Sequence, residues 1–286
     1  MRVRLAKAGM FQMIVLFFLF VSVGQVHAEG TDIQYKTYGS YTYCVEESGT
    51  VKIVGYTGNE KVVNIPSEID GMPVRTIAGL GEYAYGYYSF YVNDKTRKII
   101  VPEGVVNIES INGYSDACMC VEEVILPDSV TDISEGAFRY CEELKKIRLP
   151  NGLKEIKRST FSSCESLKTI QLPNGLERIG ASAFYCCYSL QEIRIPDTVT
   201  SMGEDVFFCC DNLKKVTLSK NLTVIHEYSF AGCSKLKSIR LPKKLRNVEE
   251  AAFSGTAITK LTIPENVTRI GKWAFWSKKL KKVTIK

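Results

Sequence analysis

The side chains in this sequence with reactivity of their own are its ten cysteines and two histidines. Six cysteines, Cys118, Cys141, Cys164, Cys187, Cys210 and Cys233, recur every 23 residues. Such regularity raises three chemistries: soft-metal ligation, nucleophilic attack and disulfide bonding. No Cys-x-x-Cys pair is present, so the spacing of a zinc ribbon or a thioredoxin-like redox site is missing. A nucleophile needs a base, and His27 and His226 are the only imidazoles. His226 stands where equivalent stretches carry Gly180 and Gly203, which predicts a solvated turn residue. Acidic residues are scattered over turns without a paired general acid and base. Phosphate-cradling glycine loops and calcium loops are also missing. The expectation is no catalytic residue, no metal site and no cofactor.

Disulfides are the remaining chemistry, and spacing weighs against them in the main file. Equivalent residues of stacked units lie about 4.8 Å apart with parallel side-chain vectors. A disulfide needs Cβ atoms about 3.5–4.5 Å apart and turned towards each other. The six cysteines are therefore expected to form a buried, reduced ladder of small hydrophobes. Cys186 and Cys209 make a second, shorter file; these, or the set Cys44, Cys118 and Cys120, are the better candidates for any bridge.

What must position these residues is a repeat. The run Leu144-Lys-Lys-Ile-Arg-Leu-Pro150 returns from Leu167, Leu190, Leu213 and Leu236, each 23 residues on, and with a 22-residue step from Ile258 and Leu280; Val121 begins the copy upstream. One such unit cannot bury its own apolar face, so the copies must stack as a solenoid. Within a unit, Ile147 and Leu149 alternate with Lys146 and Arg148 as a strand requires, and the proline stops it. A second apolar pair follows (Leu153 and Ile156, Leu176 and Ile179, Val199 and Met202). A phenylalanine comes next, at Phe138, Phe161, Phe184, Phe207, Phe230, Phe253 and Phe275, in what reads as a short helical turn. The predicted fold is a β-rich solenoid with one parallel sheet of short strands.

The unit Leu-x-x-Ile-x-Leu-Pro, then Leu-x-x-Ile-Gly and Ala-Phe-x-x-Cys, complete in Leu167 to Cys187, resembles the leucine-rich repeats of BspA-like bacterial surface proteins. Val51-Lys-Ile-Val-Gly-Tyr-Thr-Gly58 and Ile69-Asp-Gly-Met-Pro-Val-Arg-Thr-Ile77 are similar to the entry segment of such arrays. The sequence departs from the commoner leucine-rich pattern in carrying Gly152 and Gly175 where Asn or Cys is usual. The resemblance implies extracellular attachment to proteins or neighbouring cells and no enzymatic activity.

Arg2, Arg4 and Lys7, the apolar run 10–23 and Val26-His27-Ala28 form a signal peptide over 1–28. Its removal lowers the net charge from +6 by three basic residues to +3. Residues 29–64 are expected to form a β-hairpin entry unit and 65–286 the solenoid, with an aromatic-rich insertion near 80–97. Composition agrees: 45% hydrophobic and 24% charged residues exclude disordered, collagenous and polytopic membrane classes.

Two features are candidates for binding. Outward strand positions carry Lys146, Arg148, Arg194, Lys215, Arg240, Lys260 and Lys282 against Glu123 and Glu192 alone, so this face is expected to be positive. It is either a solubilising surface or a binding one. The insertion holds Tyr83, Tyr85, Tyr87, Tyr88, Phe90 and Tyr91, which either plug a misfit between coils or anchor a partner. The lysine-rich C-terminal stretch either holds an anionic cell wall or protects an open sheet end. The expected function is an exported or cell-surface binding protein, secreted and without a transmembrane segment after cleavage. Its expected partner is an extracellular protein or anionic glycan, not a nucleic acid. The alternative is a secreted enzyme, or an accessory module of a cell-wall or glycan-acting system.

Overall fold

The computed structural model describes residues 33–78, 95–110 and 120–286. The expected signal segment, the aromatic cluster from Tyr83 to Tyr91 and Cys118 lie outside the described residues. The described residues form a stack of short coils joined by three ladders of backbone hydrogen bonds, two of them β-sheet.

The first ladder is built from the Leu-x-x-Ile-x-Leu strands. Val62–Asn64, Lys98–Ile100, Glu123–Ile125 and Lys146–Arg148 pair in parallel, with Lys146 beside Glu123 and Glu123 beside Lys98. It resumes as Glu192–Arg194 with Lys215–Thr217, and as Lys260–Ile263 with Lys282–Ile285. The second apolar pair of each unit makes a ladder too, where the sequence predicted a single sheet. Met72–Ala78, Asn107–Ser110 and Asp132–Ile133 pair in parallel. Glu155–Ile156, Arg178–Ile179 and Ser201–Met202 follow, then Val224–Ile225, Asn247–Val248 and Arg269–Ile270. Two-residue strands suffice because each coil borrows its neighbours' hydrogen bonds.

The third ladder occupies the turn around the phenylalanine. The sequence predicts short helical turns there, but the described residues contain no helix, and the reason is local. Ser159 and Ser163 both have positive φ, 54° and 59°. That conformation turns alternate N–H groups along the solenoid axis. Ser159, Phe161 and Ser163 donate to Ala181, Ala183 and Tyr185 of the next coil at 2.9, 2.9 and 2.7 Å. The groups between them close turns inside the coil, as Ser162 N–H does to Ser159 at 3.0 Å. A helix would spend all these donors within one coil.

The entry is an antiparallel meander, Lys36–Tyr38, Tyr41–Val45 and Val51–Tyr56. Val51–Tyr56 then pairs in parallel with Met72–Ala78 and so starts the second ladder. Buried Tyr43 ties the unit down by donating to Asp70 Oδ2 at 2.5 Å. One apolar core runs from Tyr43 to Ala274. Its spine is the phenylalanine stack, ring centroids 5.2–5.6 Å apart from Phe138 to Phe275. No helix among the described residues is long and apolar enough to cross a membrane.

Candidate functional site

The strand face is best read side chain by side chain. All seven cations that the sequence assigns to it are exposed, because their strand neighbours Ile193, Leu261 and Ile263 take the inward positions. Exposure does not make them equivalent. Arg148 donates to Asp128 Oδ2 at 2.9 Å and to the Leu126 carbonyl at 2.5 Å. Asp128 in turn is held below the usual carboxylate range, first by the Asn151 backbone N–H and then by Arg148. Upstream, Lys98 pairs with Glu123 at 3.1 Å, and Lys145 with Glu122 at 3.1 Å. The N-terminal part of the face is therefore a lattice of ion pairs between coils.

Acids thin out downstream. Lys215 reaches Glu192 only at 3.9 Å. Asp197 is held low, first by the side chain of Lys220, which sits 2.7 Å away, and Arg194 adds to this field from the strand. From Leu213 onward the first-ladder segments carry Lys214, Lys215, Lys237, Arg240, Lys260, Lys281 and Lys282 and no acid; Glu227, Glu249 and Glu250 of the same coils lie on another turn. Lys260 and Lys282 lie directly beside each other in register, and like charges so placed repel. Of the predicted file, Arg240, Lys260 and Lys282 thus form a basic strip. Arg148 belongs to the neutralised part, and Lys146 stands exposed beside Glu123.

An acidic counterpart lies on the turn after the second ladder. Glu204, Asp205, Glu227, Glu249 and Glu250 fall there in consecutive coils. Burial first, then Glu204 and Glu227, push the Asp205 carboxyl upward. His226 sits in this acidic run, its Nδ1 2.9 Å from Glu249 Oε2. The one serine bonded to that residue, Ser229, donates to the His226 carbonyl at 2.7 Å and not to the ring. A Ser-His nucleophile is not assembled here. Sequence reasoning missed this acidic edge because its members look scattered until the 23-residue period stacks them. A broad groove of about 580 Å³ lies on the same side, lined by Ser134, Glu135, Glu155, Lys157, Arg158 and Gly180. Two of its charged residues are already ion-paired, Lys157 with Asp132 at 2.6 Å and Glu155 with Arg178 at 3.0 Å.

The thiols divide into two groups. Cys141, Cys164, Cys187, Cys210 and Cys233 are buried, at 0–1% exposure, and unbridged. They are more than small hydrophobes. Cys164, Cys187, Cys210 and Cys233 each donate to a phenylalanine carbonyl of the preceding coil, those of Phe138, Phe161, Phe184 and Phe207, at 3.1–3.2 Å. Burial pushes the thiols of Cys187, Cys210 and Cys233 upward. Cys186 and Cys209 lie at the edge of the stack, Cys209 half-buried. Among the described residues no three histidines, cysteines or acids come together as metal ligands.

This architecture has known counterparts. The sequence matches the family described as the BspA type leucine rich repeat region in six copies, over residues 84–214 and 200–286. It is similar to a leucine-rich repeat protein from Bacteroides ovatus, 29% identical with a TM-score of 0.60 over 88% of this chain; the match spans 66% of that protein, just under two thirds of its length. It is also similar to the leucine-rich repeat protein of T. pallidum, 26% identical with a TM-score of 0.53, covering 83% of this chain and 86% of the other. No curated protein matches the sequence.

Proposed function

This chain belongs to the BspA-type leucine-rich repeat family, and from that premise we propose that it is an exported, non-catalytic adhesion module whose first-ladder face binds an anionic extracellular macromolecule. The observation that carries the reading is the register of Lys260 against Lys282 among first-ladder segments that carry no acid from Leu213 onward. Like charges held side by side weaken a sheet. A polyanion across the strip relieves that repulsion and gains several cations at once, since coils about 4.8 Å apart fall within a Debye length of about 8 Å. An acidic glycan fits this chemistry. The cations Lys278, Lys279 and Lys286, which flank the last strand, extend it towards an anionic cell wall.

The test is retention of the purified chain on an immobilised acidic glycan in a salt gradient. The native chain is retained and elutes as salt rises, whereas R240E/K260E/K282E passes through. Retention of that variant at the native salt concentration rejects the reading. Export has its own check: protein recovered from the medium of source cells begins at Glu29, and an intact Met1 in cell lysate alone contradicts it.

A further inference from the structure

The outer turn of the third ladder carries aromatic rings that the core does not need. Phe184 and Phe207 are fully buried in the spine, while the residues after them, Tyr185 and Phe208, are half-buried at the surface. Their rings stack on each other with centroids 5.0 Å apart, and Tyr228 of the next coil meets Phe208 edge-on at 6.4 Å. Neighbouring coils fill the position of Tyr185 and Phe208 with Ser162 and Ala231, so coil stacking requires no ring there.

Acids line this row on both sides. Ser182, Asp205 and Tyr228 donate their N–H groups to the carbonyls of Glu204, Glu227 and Glu250 at 2.8–3.0 Å, which fixes these glutamates as successive rungs on one flank. Arg158 stands at the head of that file, two coils before Asp205. On the other flank Ser166 and Ser189 donate to Glu142 and Glu165 at 2.8 and 3.0 Å, and Asp211 continues the file beyond exposed Tyr188.

Rings elsewhere on the outer turns show which chemistry suits them. Arg139 lies 4.7 Å from the centroid of the Tyr140 ring and donates to the Tyr140 hydroxyl at 2.8 Å. Lys272 lies 4.1 Å from the centroid of Trp273. In both places the cation comes from the preceding residue. The residues preceding Tyr185, Phe208 and Tyr228 are Phe184, Phe207 and Glu227, and among the described residues no lysine or arginine covers these three rings.

We propose that this aromatic row is a docking site for a basic segment of a partner protein, which lays arginine side chains along Tyr185, Phe208 and Tyr228 and sets their guanidinium groups against the flanking carboxylates. The aliphatic stem of an arginine covers ring surface, while its planar head stacks on aromatic rings and forks onto carboxylates. Lysine, a strongly hydrated point charge, does this less well. A neutral glycan would use the rings and not the charge. The site is distinct from the basic strip of the first ladder, which repels such a segment.

The experiment uses the full, folded chain and two fluorescent peptides, hexa-arginine and hexa-lysine, titrated at low ionic strength and read by anisotropy. Hexa-arginine should bind the native chain about fivefold more tightly than hexa-lysine. Y185S/F208A takes residues that neighbouring coils already carry at this position, so it folds. It should lose the arginine preference, whereas E204Q/E227Q/E250Q should weaken both peptides. Equal affinity of the native chain for the two peptides, or no binding of either, overturns the proposal without recourse to a variant. An arginine preference that survives Y185S/F208A overturns it too. So does a neutral oligosaccharide that binds the native chain and not Y185S/F208A, when hexa-arginine does not distinguish the two.

Discussion

A ladder cysteine serves two needs at once, filling a small core space and giving a second donor to a buried phenylalanine carbonyl. Phe161 O accepts the Cys164 N–H of its own coil at 3.2 Å and the Cys187 thiol of the next at 3.1 Å. After Cys233 the position becomes Thr256, whose hydroxyl donates to Phe253 in its own coil at 2.9 Å. The donor outlasts the cysteine, so hydrogen bonding is part of what the position selects. Replacing Cys187 with alanine removes that donor and leaves a small cavity. It should cost about 1–3 kcal/mol in urea unfolding. A second prediction follows from ionisation. The thiols of Cys187, Cys210 and Cys233 are raised by burial, so the folded chain keeps protons that the unfolded chain releases above its ordinary thiol value of about 9. Their contribution is intact below that value and is lost as pH rises past it, by about 1.4 kcal/mol per pH unit for each thiol. Urea unfolding at about pH 8 and about pH 10 checks this, and C210A should flatten the slope. The burial of these thiols was legible in their spacing. Their hydrogen bonds were not, because the accepting carbonyl belongs to a residue 26 positions away.

At the scale of the element, periodicity located the first strand ladder and the burial of the second apolar pair, since Ile147 and Ile156 each recur once per coil, but it did not show that the second pair forms a sheet of its own. It did not reveal the turn. Local preference reads Ser159 to Cys164 as a helical turn, and only the glycines at equivalent positions, Gly136, Gly232 and Gly255, hint at positive φ. Left-handed serine and cysteine are disfavoured locally and are held there by hydrogen bonds from the next coil, which no single unit contains. Close approach of coils leaves another signature. A Cβ on Gly203 would lie 2.4 Å from the Ala181 backbone nitrogen, whereas one on Gly152 meets nothing within 4 Å. G203A should therefore lose about 2 kcal/mol or more in thermal or urea unfolding. G152A should stay within about 0.5 kcal/mol of the native chain. Equal losses at the two sites would refute the close packing of these turns.

Over the whole molecule, stacking turns a nearly balanced composition into segregated charge. Ion pairs between coils neutralise the N-terminal strands, a basic strip takes over from Lys214 to Lys282, and an acidic edge runs from Glu204 to Glu250. The basic face was visible in the sequence as a file of outward residues. Its division was not, because Asp128 reaches Arg148 across 20 positions and from outside the strand pattern. Exposed charges add little to folding, so reversing them separates binding from stability. The most direct test compares two triple variants by affinity for a soluble acidic glycan: R240E/K260E/K282E on the strip and R148E/K145E/K98E among the paired cations. The account predicts that the strip variant loses binding with an unchanged melting temperature, and that the paired-cation variant keeps most of it. Equal loss in both, or undiminished binding by the strip variant, would contradict it.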